Sequence, residues 1–170
     1  MEPLTEAEVR ASFVNCSQGE ARRLNVPGDL AHRAWPELDF LGWVDPKAPL
    51  QAYLVVPTDD HGPVGIALRR NTSTPGAGRA RMCSVCATTH PATGVSLMVA
   101  ARAGRRGREG NTVGLDICAA LECSAYARGL LPLPTMSAAR ETLSVAERIE
   151  RVERNVGAFV ARVLRAPATA

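Results

Sequence analysis

RMCSVCAT (residues 81–88) and LDICAALECSAYARG (residues 115–129) decide how this chain is read. The first carries Cys83 and Cys86 as a C-x2-C pair, the second carries Cys118 and Cys123 as a C-x4-C pair, and 31 residues separate the two. A C-x2-C pair wraps a tight turn that aims two thiolates at one ion, and four soft ligands in two pairs match a closed tetrahedral zinc site. Cys118 and Cys123 are expected at the start of a helix, whose positive end favours the thiolate form. The reading is one structural zinc ion, Zn2+, held by Cys83, Cys86, Cys118 and Cys123. Unrelated buried cysteines and a redox C-x2-C are the competing readings, and the second leaves Cys118 and Cys123 unexplained. Four protein thiolates leave no open position for water, which argues against metal-activated hydrolysis. His90 offers a substitute ligand, although Pro91 follows it and the thiolate set is already complete. Cys16 reads as a small buried hydrophobe in the first helix.

Between the cysteine pairs, VSLMVAAR (95–102) and TVGLDI (112–117) have strand composition and AGRRGREGN (103–111) reads as the exposed loop joining them in a hairpin. CAALECSAYARG (118–129) follows as a helix, with Gly129 placed to stop it. Knuckle, hairpin and helix occur in the order of a treble clef. Upstream, LDFLGWVD (38–45), AYLVVP (52–57) and PVGIALRR (63–70) read as three strands, the last two paired across the turn DDHG, and NTSTPGAG (71–78) reads as a loop. Trp35, Phe40 and Trp43 are expected to cluster near the centre of the fold.

Helical signals flank this segment. Thr5 and Glu8 form a capping box that predicts a helix over 5–17, and 18–34 reads as mostly helical, broken at Val26 to Asp29, with Asp29 capping a further turn. Ser144 and Glu147 form the box of a longer helix running to about Arg165, with a seam of Val145, Ile149, Val152, Val156, Phe159 and Val163 that is expected to dock on the protein's own helices. Glu147/Arg151 and Glu150/Arg154 are its expected surface pairs. Leu131 to Pro134 form a stiff connector, and APATA (166–170) is expected to fray. The fold class is α+β: a treble-clef-type zinc finger with antiparallel β-hairpins, flanked by N-terminal and C-terminal helices. The expected division is 1–37 as an N-terminal helical segment, 38–130 as the zinc-binding domain, and 131–170 as a linker and long helix that packs back on it.

At 170 residues and 46% apolar content the chain can bury a full core. A net charge of +3 is too small to demand a nucleic-acid partner. The acidic, polar start and the lack of a long apolar run predict a soluble cytoplasmic protein, where five cysteines are better explained by metal than by disulfides. No enzyme constellation competes: His32, His61 and His90 are scattered, and Asp59 and Asp60 sit in a turn. Arg102, Arg105, Arg106 and Arg108 are the remaining signal, either a surface for an acidic protein or ribosomal RNA phosphates, or a solvated hairpin tip.

RMCSVCAT followed by LDICAALECSAYARG resembles the C-terminal treble-clef zinc finger of the elongation-factor-G-binding proteins, which include the FusB-type fusidic acid resistance proteins. The resemblance covers about residues 38–130, and by it Cys83, Cys86, Cys118 and Cys123 are the zinc ligands. It implies a non-catalytic protein that binds translation elongation factor G and promotes its release from the ribosome, protecting translation from fusidic acid, with no membrane and no small-molecule substrate involved. The chain is short before the finger, so its first helices and its last one are expected to form a reduced helical subdomain. Tyr126 and Arg128 join the Arg loop as the candidate partner surface. The alternative is a zinc finger that binds nucleic acid directly through the Arg-rich loop.

Overall fold

The computed structural model describes residues 1–71, 80–91, 93–134, 137 and 141–165. A five-stranded antiparallel sheet in the order β1-β2-β3-β6-β7 organises them, built from β1 (Leu41–Val44), β2 (Gln51–Thr58), β3 (Gly62–Arg70), β6 (Val95–Ala101) and β7 (Thr112–Cys118). A small ribbon of β4 (Arg81–Met82) and β5 (Thr89–His90) stands beside it. Both expected hairpins form: β2 pairs with β3 from Gln51↔Arg69 to Thr58↔Gly62, and β6 pairs with β7 from Val95↔Cys118 to Ala101↔Thr112. The loop expected at 71–78, apart from Asn71, and the terminal 166–170 lie outside the described residues.

Alternation along β2 sorts the core into two layers, because successive side chains leave a strand on opposite faces. Ala52, Leu54 and Val56 join one cluster with Val64, Ile66, Met98, Leu115 and the cysteines, while Tyr53 and Val55 join another with Val9, Trp35, Leu41 and Trp43. Trp35, Phe40 and Trp43 are all buried, yet they do not form one cluster: Phe40 lies in the first layer and the two Trp in the second. In the second layer Phe13, Trp43 and Tyr53 pack ring against ring, with centroids 5.0 to 6.3 Å apart.

The first helix is shorter than its sequence pattern. Thr5 and Glu8 make the expected capping box, but α1 spans only Glu6–Ala11. The reason lies in β3, whose edge meets β6 only at Arg69 and Arg70. Its remaining polar groups need partners, and residues 12–15 supply them. The Gly65 N–H donates to Ser12 O at 2.8 Å, the Val14 N–H donates to Gly65 O at 3.0 Å, and the Asn15 side chain bonds the Ala67 N–H and carbonyl. A Cβ on Gly65 would lie 2.5 Å from Ser12 Oγ, so this crossing requires glycine. Cys16 therefore sits outside any helix and is only half-buried, contrary to expectation.

The stretch expected to be mostly helical resolves into α2 (Gln18–Arg23), opened by a Ser17/Glu20 capping box, and two 3-10 turns, Leu30–His32 and Trp35–Glu37. Asp29 precedes the first turn without capping it; its carboxylate accepts from Arg33 instead. After two short helices, α3 (Arg105–Arg108) and α4 (Cys123–Arg128), the chain reaches α5 (Val145–Leu164). Ser144 and Glu147 cap α5 as expected. Its buried face is Val152, Val156, Phe159, Val160 and Val163; Val145, placed in the seam by its spacing, is 43% exposed. Glu147 is occupied by the cap, so Arg151 pairs with Glu141 rather than with Glu147. The helix docks on α4, β2 and β7. Because it packs in one layer and the N-terminal segment in the other, the two do not form a shared helical subdomain. Among the described residues no helix is long and apolar enough to cross a membrane.

Candidate metal centre and its surroundings

Each cysteine pair is held by a different local device. Between β4 and β5, the Val85 and Cys86 N–H groups donate to Cys83 Sγ at 3.4 and 3.5 Å, and the Ala87 N–H donates to the Cys83 carbonyl at 2.9 Å. The turn closes with Ala87 at φ 61°. The knuckle is pinned to the body of the fold from three sides: the Ser84 N–H donates to Asp116 O at 2.8 Å, Arg81 pairs with the Asp116 carboxylate, and Asn155 of α5 donates to Val85 O at 2.9 Å.

The second pair differs from its sequence reading. Cys118 is the last residue of β7 rather than the start of a helix, and only Cys123 opens α4. Between them the Leu121 N–H donates back to Cys118 O at 2.9 Å and Leu121 takes φ 62°, a left-handed position incompatible with a continuous helix. This reversal, not a helical turn, brings the two sulfurs together. Gly129, at φ 71°, ends α4 as expected.

The four sulfurs lie within 4.8 Å of one another and all four residues are buried. Cys83 Sγ is 3.7 Å from Cys123 Sγ, and Cys86 Sγ is 3.5 Å from Cys118 Sγ. Tetrahedral zinc with bonds of about 2.3 Å sets its sulfurs roughly 3.8 Å apart, close to these two separations, so the cluster fits one zinc ion. The free thiols share their protons unevenly. Burial, and then hydrogen bonding with Cys118, Cys83 and Cys86, pushes the Cys123 thiol well above its usual range. Hydrogen bonding with Cys118, and next with Cys123, pulls the Cys83 and Cys86 thiols down. Four thiolates in this space need a cation among them.

His90 lies outside the group of four but touches it, with Nε2 3.3 Å from Cys118 Sγ. Thr88 Oγ1 lies 3.2 Å from Cys86 Sγ. The sequence offers His90 only as a replacement ligand and gives Thr88 no role; both follow Cys86 closely, and that proximity is the available signal.

The other candidate residues divide between struts and free surface. Arg128 makes two hydrogen bonds to Asp39, at 2.7 Å each, and the Asp39 side chain is 1% exposed. Tyr126 is half-buried, packed edge to face on His90 with centroids 5.1 Å apart. The loop 103–111 contains the turn α3, which closes because Gly107 has no Cβ; one built there would meet Arg102 O at 1.9 Å. Arg102 donates to Arg162 O, the Ala103 N–H donates to Val163 O at 3.0 Å, and Arg105 pairs with Glu109 at 2.6 Å. Arg106 and Arg108 have no acidic partner among the described residues.

A family model described as FBP C-terminal treble-clef zinc-finger matches residues 8–163 of the chain. No curated protein matches it. Among solved structures the fusidic acid resistance protein FusC is similar, at 14% identity and a TM-score of 0.56, over 95% of this chain and 59% of that one. The chain thus spans less than two thirds of FusC, and at this identity the likeness is one of fold.

Proposed function

The chain belongs to the FBP C-terminal treble-clef zinc-finger family, and from that premise we propose that it is a non-catalytic, zinc-stabilised protein that binds elongation factor G in the cytoplasm and promotes its release from the ribosome. Fusidic acid, which traps the factor there, is the condition under which such release protects translation. The resemblance carried by Cys83, Cys86, Cys118 and Cys123 supplies the partner. The observation that best supports a binding role is the Arg turn α3, tied to α5 through Arg102 and Ala103, so that Arg105, Arg106 and Arg108 are presented from a fixed mount. A rigid surface that prefers one conformation of a partner shifts that partner's populations by the difference in its affinities, with no bond broken.

On this reading Arg102, Arg105, Arg106, Arg108 and the exposed edge of Tyr126 form the contact surface, and Arg128 supports it from behind through Asp39. The test is capture of purified elongation factor G by zinc-loaded protein, with zinc content measured on the same sample and Cys118→Ser as the control without an intact finger. Arg105→Glu with Arg106→Glu should weaken binding tenfold or more at unchanged thermal stability. Unchanged affinity would remove the turn from the proposal, and loss of capture by the native chain would remove the factor.

One observation favours direct binding of nucleic acid as a second reading: among the described residues Arg106 and Arg108 have no acidic partner. Salt separates the two. If the four Arg contact phosphates, log K should fall against log salt with a slope of roughly −3 to −4, whereas a protein interface with an apolar centre falls much less.

A further inference from the structure

A zinc ion with four thiolates carries a net charge of about −2 in a buried site, and such charge is tolerated where hydrogen-bond donors face the sulfurs. Cys83 has two backbone N–H donors, and the Thr88 hydroxyl, which accepts from the free Cys86 thiol, is placed to turn and donate to its thiolate. For Cys118, among the described residues, the side chain outside the thiol cluster that comes within reach is the His90 imidazole, with Nε2 at 3.3 Å. His90 is itself 6% exposed and fixed on two sides. Tyr126 packs against the ring edge to face, and Gly94 lies so close that a Cβ there would come within 2.4 Å of His90 Cβ and 2.8 Å of Cγ. The β4–β5 pairing Arg81↔His90 ties the same residue to the strand that leads into the first cysteine pair.

We infer that His90 is a positioning residue of the zinc centre: its Nε2–H donates to the Cys118 thiolate, and Gly94 and Tyr126 hold the ring in the orientation that makes this bond. Cys118 needs that help. It ends a strand and leads into a reversal through left-handed Leu121, and among the described residues no amide donates to its sulfur as two do to Cys83. The inference rests on the zinc site alone and not on any partner.

The experiment uses the full chain with zinc, and with cobalt(II) as a spectroscopic replacement, in His90→Gln, His90→Leu and Gly94→Ala. His90→Leu should lower zinc affinity, read by competition with a chromophoric chelator, by 10- to 100-fold. It should also move the sulfur-to-cobalt charge-transfer band to lower energy, because a thiolate without a donor holds its lone pair less tightly. His90→Gln, which keeps an N–H at similar reach, should restore both readings toward those of the native chain. Gly94→Ala, which displaces the ring while keeping it, should reproduce the band shift. Affinity within about twofold and an unmoved band in His90→Leu would overturn the inference, as would His90→Gln behaving like His90→Leu. If His90→Leu yields no metal-loaded protein, the Gln variant decides: a native band position supports the donor role, and a band shifted as in Gly94→Ala overturns it.

Discussion

Arg128→Ala should destabilise this protein strongly. Both oxygens of Asp39 accept from Arg128 at 2.7 Å, the carboxylate side chain is 1% exposed, and the two residues lie 89 positions apart, joining the approach to β1 with the end of α4. Among the described residues no other donor reaches that carboxylate. Removing one partner of a buried pair costs about 3–5 kcal/mol, because the other charge stays buried and uncompensated. Arg128 is 16% exposed, which places the loss near the lower end, at about 3 kcal/mol. Asp39→Ala is milder, about 1–2 kcal/mol, since the freed guanidinium can turn toward water. The double variant should lose only about as much as Asp39→Ala alone, giving a coupling of about 3 kcal/mol. For a chain of this length 3 kcal/mol lowers Tm by roughly 6–12 °C. Urea unfolding of the zinc-loaded chain measures all four corners of the cycle. A loss below about 1 kcal/mol in Arg128→Ala, or single effects that simply add, would refute the reasoning and return Arg128 to the list of surface contacts.

Three further outcomes are expected. Metal analysis should find one zinc per chain, and Cys118→Ser should abolish tight binding; acid should also weaken it, because protons compete for the sulfurs. Zinc retained at full affinity in Cys118→Ser would contradict the four-sulfur site. Gly65→Ala should cost about 2–3 kcal/mol in urea unfolding; the new Cβ meets Ser12 Oγ at 2.5 Å and Phe13 Cα at 3.0 Å, and since the second is backbone, adding Ser12→Ala should rescue only part. Ser144→Ala should cost about 1 kcal/mol. Hydrogen bonds from the Ser144 side chain and backbone hold the Glu147 carboxyl below its usual range, so their contribution is present above about pH 4.3 and is lost as pH falls further. The gap between native and variant chains should therefore narrow in acid, and a gap constant down to about pH 3 would contradict the cap.

What the sequence made legible was local. The C-x2-C knuckle, the capping boxes at Thr5 and Ser144, the DDHG turn and the glycine stop at Gly129 are set by neighbours within a few residues, and each forms as read. The first helix failed where a distant demand intervened: the unpaired edge of β3 draws residues 12–15 out of a helix that their own pattern favours. Cys118 was misplaced for a related reason. CAALEC has helical composition, and only the need to turn both sulfurs toward Cys83 and Cys86 puts Leu121 at φ 62°. The Asp39–Arg128 pair and the His90–Cys118 contact join residues 89 and 28 positions apart, and no periodicity announces either. By contrast, the Ser17/Glu20 box had the same spacing as Thr5/Glu8 and was open to the same reading.

Ala52 to Val56 form a five-residue run, AYLVV, that is buried along its whole length because β2 is covered on both sides. Such a run, rich in β-formers and free of charge and proline, is the kind of segment that drives intermolecular strand stacking when it is uncovered. The N-terminal segment is its lid: Val9, Phe13, Leu24 and Trp35 lie over the Tyr53 and Val55 side. A chain cut at residue 38 would keep all four cysteines and a complete finger, yet it would present Leu41, Trp43, Tyr53 and Val55 as a continuous sticky face. The first thirty-seven residues thus act as a built-in guard against aggregation. Because one strand serves both layers, neither should melt without the other, and heating should give a single cooperative transition.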